Sequence, residues 1–188
     1  MSGTDKSLSL FHVAELGRKL KSPLDTYNKC TREAMTFPNG AHVVEVEVDP
    51  DTGIVKLKSY TAVDDYGVLV NPSIVQGQMH GAIAQGAGQA LLEAVVYDEL
   101  SAQMLTGSFM DYAVPRADDL PFYETAFEST PCVTNPLGVK GCGEAGTIAA
   151  PSAIFNAIID ALRPFGITHI DGPATPEKIW SSIRAAIS

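Results

Sequence analysis

A single carboxylate, Glu144, lies in a glycine-rich stretch that leads into an apolar run typical of a helix. The stretch, residues 138–162, reads GVKGCGEAGTIAAPSAIFNAIIDAL. The glycines nearest to the carboxylate are Gly138, Gly141, Gly143 and Gly146. Glycine allows backbone angles that are closed to other residues, and it lets other groups approach the main chain closely. Glu144 therefore has two interpretations, a charge that stabilises a helix N-terminus or a general base held by a tight loop. The residue types alone do not choose between them.

Other catalytic motifs do not occur in this sequence. GVKGCGE is not followed by the G-K-[ST] of a phosphate-binding Walker loop. GCGEAG approaches the dinucleotide-binding pattern, but the preceding PCVTNPLGVK is too polar to be the strand that this pattern requires. No G-x-S-x-G element supports serine hydrolysis. We predict structural roles for the four scattered histidines, which are His12, His42, His80 and His169.

The cysteines and the uncharged segments predict a reducing, cytoplasmic setting. Cys30, Cys132 and Cys142 form no C-x-x-C pair and are odd in number, so neither a disulfide framework nor a zinc site is expected. The N-terminus lacks the apolar core of a secretory signal. The longest uncharged stretch, residues 66–92, is interrupted by a proline and several glutamines, so we expect no membrane span.

Length and composition fit one globular domain or two small lobes that share an interface. The chain has 188 residues, of which 45% are apolar and 19% are charged. This balance is too apolar for a disordered protein. The net charge is -9, and the sequence has no Lys/Arg stripe that could bind phosphates. Nucleic acid is therefore not expected as a partner.

The clearest local element is a β-hairpin. HVVEVEVD and IVKLKSYTAV alternate apolar and polar residues on either side of the turn PDTG, as two half-buried strands do. Pairing across that turn sets Glu47 opposite Lys56 and Glu45 opposite Lys58. Opposite charges then share the outer face of the hairpin, which favours this register.

The segment 71–99, NPSIVQGQMHGAIAQGAGQALLEAVVYDE, predicts a long helix with many small residues. Glycine inside a helix costs about 1 kcal/mol relative to alanine, so these glycines need compensation from close packing. One interpretation is a helix pressed against another backbone, and the pattern alone favours it. The other is a helix lying on a large planar ligand, with Gln78, Gln85 or Gln89 providing hydrogen-bonding amides.

Three further elements complete a predicted α+β fold. FYETAFEST, residues 122–130, predicts a strand. A mostly buried helix follows, with Pro151 in its first turn, where the missing N–H costs little. Its thin polar stripe consists of Ser152, Asn156 and Asp160. ATPEKIW marks the start of a final helix. In sum, a β-hairpin and mixed sheets pack against a long Gly/Ala-rich helix and C-terminal helices.

Several of these segments resemble the C-terminal part of the molybdenum-cofactor-binding large subunit of the xanthine dehydrogenase/aldehyde oxidase family, closest to its carbon monoxide dehydrogenase-like large chains. The segments are GVKGCGEAGTIAAPSAIFNAIIDAL, VQGQMHGAIAQGAGQALLEAVVYDE, GSFMDYAVPRADDLP, FPNGAHVVEVEVDPDTGIVKLKSYTAVDDYG and HIDGPATPEKIW. They occur in the expected order, from about Phe37 to the C-terminus. Residues 1–36 then form a lead-in with a short amphipathic helix over 8–20. Residues 37–188 form one cofactor-binding region of two intertwined lobes.

The resemblance implies roles for the glycine loop and the long helix. The family's G-x-G-E element supplies an essential glutamate, which implies that Glu144 is the general base at the molybdenum. Its Q-G-x-G element matches Gln85, Gly86 and Gly88 and supplies an amide near the pterin. The residues implied to contact the cofactor are Gln85, Gly86, Gly141, Cys142 and Gly143. No residue of this chain is implied to ligate the metal.

The resemblance also implies a cofactor and partners. The cofactor is molybdenum–molybdopterin, with the cytosine dinucleotide form as one option. Large subunits of the family are several times longer than this chain, and their N-terminal portion carries most of the pocket. We therefore expect cofactor binding only together with that missing N-terminal half. Iron–sulfur and FAD subunits are the implied electron-transfer partners, and the chain alone is expected to be inactive and homo-oligomeric.

Three interpretations of the chain stay open on sequence alone. It is a split subunit completed by a separately encoded partner, a truncated product that folds without catalysing, or a non-enzymatic module. In the last two cases, self-association through the face left exposed is expected. The sequence does not specify the substrate, whether carbon monoxide, an aldehyde, a purine or another heterocycle.

Overall fold

A computed structural model describes residues 5–29, 31 and 34–187 of the chain. It has two compact units, Met1–Glu33 and Ala34–Ser188. Within the first unit, helix α1 spans Leu10–Lys19, inside the predicted segment 8–20. The hydroxyl of Ser9 accepts a hydrogen bond from the backbone N–H of His12 at 3.3 Å and caps this helix. Cys30 lies outside the described residues.

The second unit is built on a three-stranded sheet and three α-helices. The strands are β1 Asn39–Val48, β2 Val55–Asp65 and β3 Tyr123–Phe127, in the order β1-β2-β3. The α-helices are α2 Pro72–Leu91, α3 Ala145–Leu162 and α4 Pro176–Ile187. Short 3-10 turns occur at Ala117–Asp119 and Arg163–Phe165. β1 pairs antiparallel with β2, and β3 pairs parallel with β2. The predicted α+β fold with a mixed sheet is confirmed.

The hairpin register agrees with the prediction at one charged pair and differs at the other. Glu47 lies opposite Lys56, as predicted. Glu45 lies opposite Ser59 and not Lys58, because the register shifts between Glu45 and Val46. Lys58 is the extra residue of a β-bulge, which leaves it without a cross-strand partner in the ladder. Its ammonium instead donates to the Glu47 carboxylate at 3.0 Å.

The inner face of the sheet and one face of each long helix form the core of this unit. α3 packs against both α2 and β1. The fully buried large side chains are Tyr60, Tyr66, Met79, Ile83, Ile154, Ile158, Leu162, Ile179 and Ile183. These residues come from β2, from the turn after it and from all three helices, and partly buried valines of β1 pack against them.

Helix α2 is shorter than the segment that predicted it. It begins at Pro72, with Asn71 accepting from the backbone N–H of Ile74 at 3.2 Å. It ends at Leu91, whereas the predicted segment ran to residue 99. Beyond the helix, Tyr97 forms an isolated antiparallel bridge with Met104. β-branched Val95 and Val96 lower helix propensity at this end, and the chain turns into the bridge instead.

Helix α3 begins six residues earlier than predicted, which corrects the position of Pro151. The helix starts at Ala145, so Pro151 lies in its interior. A proline there cannot donate the hydrogen bond to the carbonyl four residues earlier, which belongs to Thr147. The predicted polar stripe is confirmed, since its three residues are exposed while Ile154 and Ile158 are fully buried.

Among the glycines of α2, some pack against a second helix and others lie open. A Cβ at Gly86 would lie 2.7 Å from the Ala150 Cβ and 3.3 Å from the Thr147 carbonyl oxygen, so α2 and α3 approach too closely for a side chain. Gly146 on α3 is equally close to α2, because its Cβ would lie 3.0 Å from the Ala82 Cβ. Close packing against a second backbone, the interpretation favoured by the pattern, is confirmed at this crossing.

Gly77 and Gly81 do not pack in this way. Both are exposed, and no atom of the described residues lies within 4 Å of a Cβ built at either position. Each destabilises the helix by about 1 kcal/mol relative to alanine. Packing within the described part of the chain does not compensate for this. No described residue therefore covers this face of α2.

One segment, Ala145–Phe165, is long and apolar enough to cross a membrane by length and composition, with a mean hydropathy of 1.4. The core helix of a soluble protein meets the same criterion, so the match is weak support for a span. Here, the face formed by Ala150, Ile154 and Ile158 is fully buried in the core, against α2 and the sheet.

Candidate active site

The glycine loop, residues 138–144, is bonded to the chain that leaves strand β2. The backbone N–H of Lys140 donates to the Tyr66 carbonyl at 2.8 Å, and the N–H of Val68 donates to the Gly138 carbonyl at 2.9 Å. Gly67 and Val139 form an isolated antiparallel bridge between these bonds. The main chain of the loop is thus fixed along its first half.

Two glycines are required for this close approach. Gly67 and Gly138 both have positive φ, at +64 and +67, a conformation that other residues adopt only with strain. A Cβ at Gly67 would overlap the Gly138 carbonyl oxygen. Gly138 was predicted as part of an unusual loop, and the structure gives a conformational reason for it.

Asp65, the last residue of β2, connects three segments through one carboxylate. Its Oδ1 accepts from the backbone N–H of Gly67 at 2.8 Å and from that of Thr130 at 3.1 Å. Its Oδ2 accepts from the Lys140 ammonium at 2.7 Å. Both side chains of this ion pair are 11% exposed. The Lys140 ammonium, with the backbone N–H groups, holds the pKa of Asp65 well below its usual range, although burial acts in the opposite direction.

The Asn135 side chain also holds the loop, through two hydrogen bonds to the backbone of Val139. Its amide nitrogen donates to the Val139 carbonyl at 2.9 Å, and its amide oxygen accepts from the Val139 N–H at 3.1 Å. Sequence reasoning missed Asp65, Lys140 and Asn135. One signal was present, a pair of acidic residues ending a strand that otherwise alternates, which is an expensive position unless the charge finds a partner.

Glu144 is the N-cap residue of α3, and its side chain is exposed. The side chain makes no capping hydrogen bond, whereas the backbone carbonyl accepts from the Ile148 N–H at 3.2 Å. Helix N-termini carry unsatisfied N–H groups and favour negative charge. The carboxylate therefore lies at the helix N-terminus, exposed and without a capping hydrogen bond to the helix.

The other predicted site residues fall on two elements that touch each other. Gly141 and Gly143 are exposed, and no atom of the described residues lies within 4 Å of a Cβ at either position. Cys142, between them, is partly buried and packs against the core. Gln85 is exposed on α2, one residue before the buried Gly86. The helix crossing at Gly86 is what brings α2 and α3 together, and no hydrogen bond joins Gln85 to the loop among the described residues.

A buried polar network lies on the same end of the sheet. The His42 ring forms two hydrogen bonds. Its Nδ1 lies 2.6 Å from the Tyr60 hydroxyl oxygen, and its Nε2 lies 3.2 Å from the Asp64 carboxylate. The Tyr66 hydroxyl donates to the other oxygen of Asp64 at 2.6 Å. Burial and this contact with Asp64 raise the pKa of Tyr66 above its usual range. The network explains His42 as a structural residue, as predicted.

No cluster of three or more His, Cys, Asp or Glu side chains that could hold a metal ion occurs within residues 5–29, 31 and 34–187. The loop and the adjoining helices present exposed backbone and polar side chains that another group could approach. The Gly141 N–H donates to the Thr36 hydroxyl at 3.2 Å, whereas Gly143 is exposed and leaves the loop backbone open to another group. The Glu144 carboxylate, which makes no capping hydrogen bond, lies at the start of α3, and the exposed Gln85 amide lies on α2. This donor set can bind and orient a group, and it can accept a proton.

The Asp65 contacts predict a specific acid dependence of stability. Because the folded-state pKa of Asp65 lies below the unfolded value of about 3.9, its contribution to the free energy of unfolding is fully present above that pH and declines as the pH falls further. Asp65→Asn should destabilise the chain at neutral pH, with the difference from wild type narrowing below pH of about 4. Urea unfolding of both proteins at several pH values from neutral to acidic measures this difference in the free energy of unfolding. Asp51→Asn, which changes a mostly exposed carboxylate, is the control. A difference that stays constant with pH would contradict the assignment.

The profile of the molybdopterin cofactor-binding domain family matches residues 11–121, more than half of the chain. The chain belongs to this family. The matched range includes Gln85 and Gly86, and it ends before the glycine loop. It begins upstream of Phe37, where the resemblance on sequence motifs began.

Relatives with known activities are large subunits of molybdenum hydroxylases, which confirms the resemblance. The chain is 45% identical over 151 residues to the nicotine 6-hydroxylase large subunit of Paenarthrobacter nicotinovorans, covering 80% of this chain and 18% of that subunit. It is 33% identical over 149 residues to the carbon monoxide dehydrogenase large chain of Hydrogenophaga pseudoflava, covering 79% of this chain and 18% of the other.

Solved structures show the same fold. Quinoline 2-oxidoreductase from Pseudomonas putida 86 superposes on 78% of this chain with a TM-score of 0.75 and 41% identity, using 19% of its own length. The chain thus spans about a fifth of the length of these relatives.

Proposed function

We propose that residues 37–188 form one wall of the molybdopterin pocket in a molybdenum-dependent oxidoreductase, with Glu144 as its general base. The observation that carries this proposal is the state of Glu144, an exposed carboxylate without a capping hydrogen bond, at the end of a loop whose other half is fixed. A residue that served only to cap α3 would be expected to bond its N–H groups. Family membership supplies the cofactor class.

In this proposal, the bound cofactor supplies the redox chemistry. The residues of this chain bind it, orient it and handle a proton. The carboxylate of Glu144, at the N-terminus of α3, accepts the proton. The Gln85 amide donates or accepts hydrogen bonds at the pterin. Gly141 and Gly143 let the cofactor approach the loop backbone on either side of Cys142.

The rest of the pocket comes, in this proposal, from the remainder of a large subunit, whether in the same polypeptide or in a separate one. The exposed glycines of α2 support this, because they leave a smooth face that no described residue covers. Exposed apolar side chains also occur just before and within α2, just before the loop and in the first turn of α3; they are Val70, Ile74, Val133, Leu137 and Ile148. Large apolar surfaces mark association sites.

The finer parts of the proposal follow the family resemblance. They comprise the cytosine dinucleotide form of the cofactor, iron–sulfur and FAD subunits as electron acceptors, and a cytoplasmic location. These 188 residues alone are proposed to be inactive and to self-associate through the face of α2. The substrate class is left to experiment.

Molybdenum content tests the proposal directly. Tagged protein is purified from its own cells, its molybdenum is measured by elemental analysis and its partners by mass spectrometry. We expect near-stoichiometric molybdenum together with the remainder of a large subunit and an iron–sulfur protein. Gln85→Leu should lower the molybdenum content, since it removes the amide proposed to meet the pterin. Gln89→Leu, at an exposed position one turn further along α2, is the matched control and should not.

A metal-free homo-oligomer would contradict the proposal. It would favour the alternative, a family fold that persists as a non-catalytic interaction module. If Gln85→Leu and Gln89→Leu both contain as much molybdenum as the wild type, Gln85 does not contact the cofactor. The assignment to the molybdopterin-binding family would not change.

A further inference from the structure

Between its two fixed ends, the glycine loop is held by one hydrogen bond, from the Gly141 N–H to the Thr36 hydroxyl at 3.2 Å, and by Cys142, which packs against the core. Gly141 and Gly143 have open space around them, and glycine restricts the backbone least of all residues. On the far side, Gly146 is locked against Ala82 in the helix crossing. The position of Glu144 therefore depends in part on how firmly the near side of the loop, at Lys140, is held.

Lys140 is held at both of its ends. Its backbone N–H donates to the Tyr66 carbonyl, and its ammonium donates to Asp65. Asp65 in turn is fixed by the N–H groups of Gly67 and Thr130. The carboxylate thus cannot follow the lysine if the loop moves, because it is bonded to two other segments of the chain.

The environment makes this ion pair stronger than a surface pair. Both side chains are 11% exposed, whereas in the Lys58–Glu47 pair they are 44% and 64% exposed. Charges that are shielded from water interact more strongly and are screened less by salt. Exposed pairs contribute little to stability. Of these two ion pairs, we expect only Asp65–Lys140 to be strong enough to hold the 138–144 loop in place.

We propose that Asp65 and Lys140 are positioning residues, whose ion pair locks the 138–144 loop and so sets the place of Glu144 relative to the cofactor. This inference rests on the proposed function, since it assigns the pair a role in the same site. Neither residue is proposed to touch the substrate. The pair acts through the backbone from Lys140 to Glu144, a distance of four residues.

Hydrogen exchange on the 188-residue chain tests the lock without any cofactor. Lys140→Met keeps the length of the side chain and removes its charge, so the amides of residues 138–144 should exchange about tenfold faster or more, the loss expected for a hydrogen bond between charged groups. Amides of residues 154–162 in α3 should not change. Lys140→Arg retains a cation and should preserve protection. Lys58→Met is the matched control at an exposed pair and should leave the loop unchanged.

Kinetics of the assembled oxidoreductase provide the second measurement. Lys140→Met should lower kcat about tenfold or more with KM unchanged, since the lysine contributes to geometry and not to substrate binding. Lys140→Arg should recover most of kcat. Unchanged exchange in Lys140→Met would overturn the inference. So would faster exchange with unchanged kcat, provided that Glu144→Gln is inactive.

Failure of the proposed function gives a different pattern. Glu144→Gln would then retain turnover, and no change at Lys140 could act through Glu144. Exchange of residues 138–144 would still decide whether the ion pair locks the loop. If Lys140→Met fails to fold, the comparison of Lys140→Arg with wild type replaces it, because an arginine that restores neither protection nor kcat would also contradict the inference.

Discussion

In the assembled oxidoreductase, Glu144→Gln is expected to lower turnover by about 10²–10⁴-fold, the usual contribution of a general base. Molybdenum content should stay at the wild-type level. Glutamine has nearly the same shape as glutamate and keeps an oxygen acceptor, but it cannot take up a proton at neutral pH. The Glu144 side chain makes no capping hydrogen bond, so the substitution removes little else. Turnover and elemental analysis of the same preparations measure both quantities.

The same variant separates the two interpretations of this carboxylate. If Glu144 only stabilises the N-terminus of α3, Glu144→Gln should lower the free energy of unfolding by about 0.3–1 kcal/mol and leave turnover unchanged. Glu177→Gln is the matched control, because Glu177 is an acidic residue in the first turn of α4 and lies away from the loop. Full turnover in Glu144→Gln would sink the base assignment.

Gly86→Leu is expected to lower the stability of the chain strongly. A Cβ at position 86 already lies 2.7 Å from the Ala150 Cβ and 3.0 Å from the Pro151 Cδ. A leucine must therefore push α3 away or distort its own rotamer, and overpacking of this kind costs about 1–3 kcal/mol, occasionally more. Chemical denaturation of the 188-residue chain measures the loss. Because α3 follows directly after Glu144, turnover in the assembled protein should fall as well.

Gly81→Leu provides the matched control on the same helix. Its side chain enters open space among the described residues, and leucine is a better helix former than glycine by about 0.5–1 kcal/mol. The isolated chain should keep or gain stability. If the remainder of a large subunit covers this face, Gly81→Leu should nevertheless impair assembly. Equal destabilisation by the two variants would contradict the placement of α3 against Gly86, and normal assembly of Gly81→Leu would place the partner elsewhere.

Local patterns predicted the elements well where a single strand or helix determines its own burial. Alternation in HVVEVEVD and IVKLKSYTAV gave the hairpin and the Glu47–Lys56 pair. The polar stripe of α3 followed from helical periodicity in the same way. These predictions succeeded because one face of each element must meet the core, which leaves a direct record in the spacing of apolar residues.

Predictions at the ends of elements were less successful, for reasons that depend on packing. The bulge at Lys58 and the early start of α3 both depend on neighbouring segments. Pro151 is tolerated inside α3 at the crossing with α2, where the Thr147 carbonyl that it leaves unbonded faces Gly86. The helix begins at Ala145, directly after a glycine loop whose first half is bonded to the chain that leaves β2, and no local propensity contains that information.

The sequence by itself determined the α+β class, the hairpin, and the family to which the chain belongs. It also singled out Glu144 as the carboxylate with a potential role in chemistry. Only the tertiary structure decided which glycines pack and which stay open, since helix periodicity does not say what lies opposite a face. The Asp65–Lys140 ion pair likewise joins residues 75 positions apart. Such a contact depends on how strands and loops pack in three dimensions, and local spacing carries no record of it.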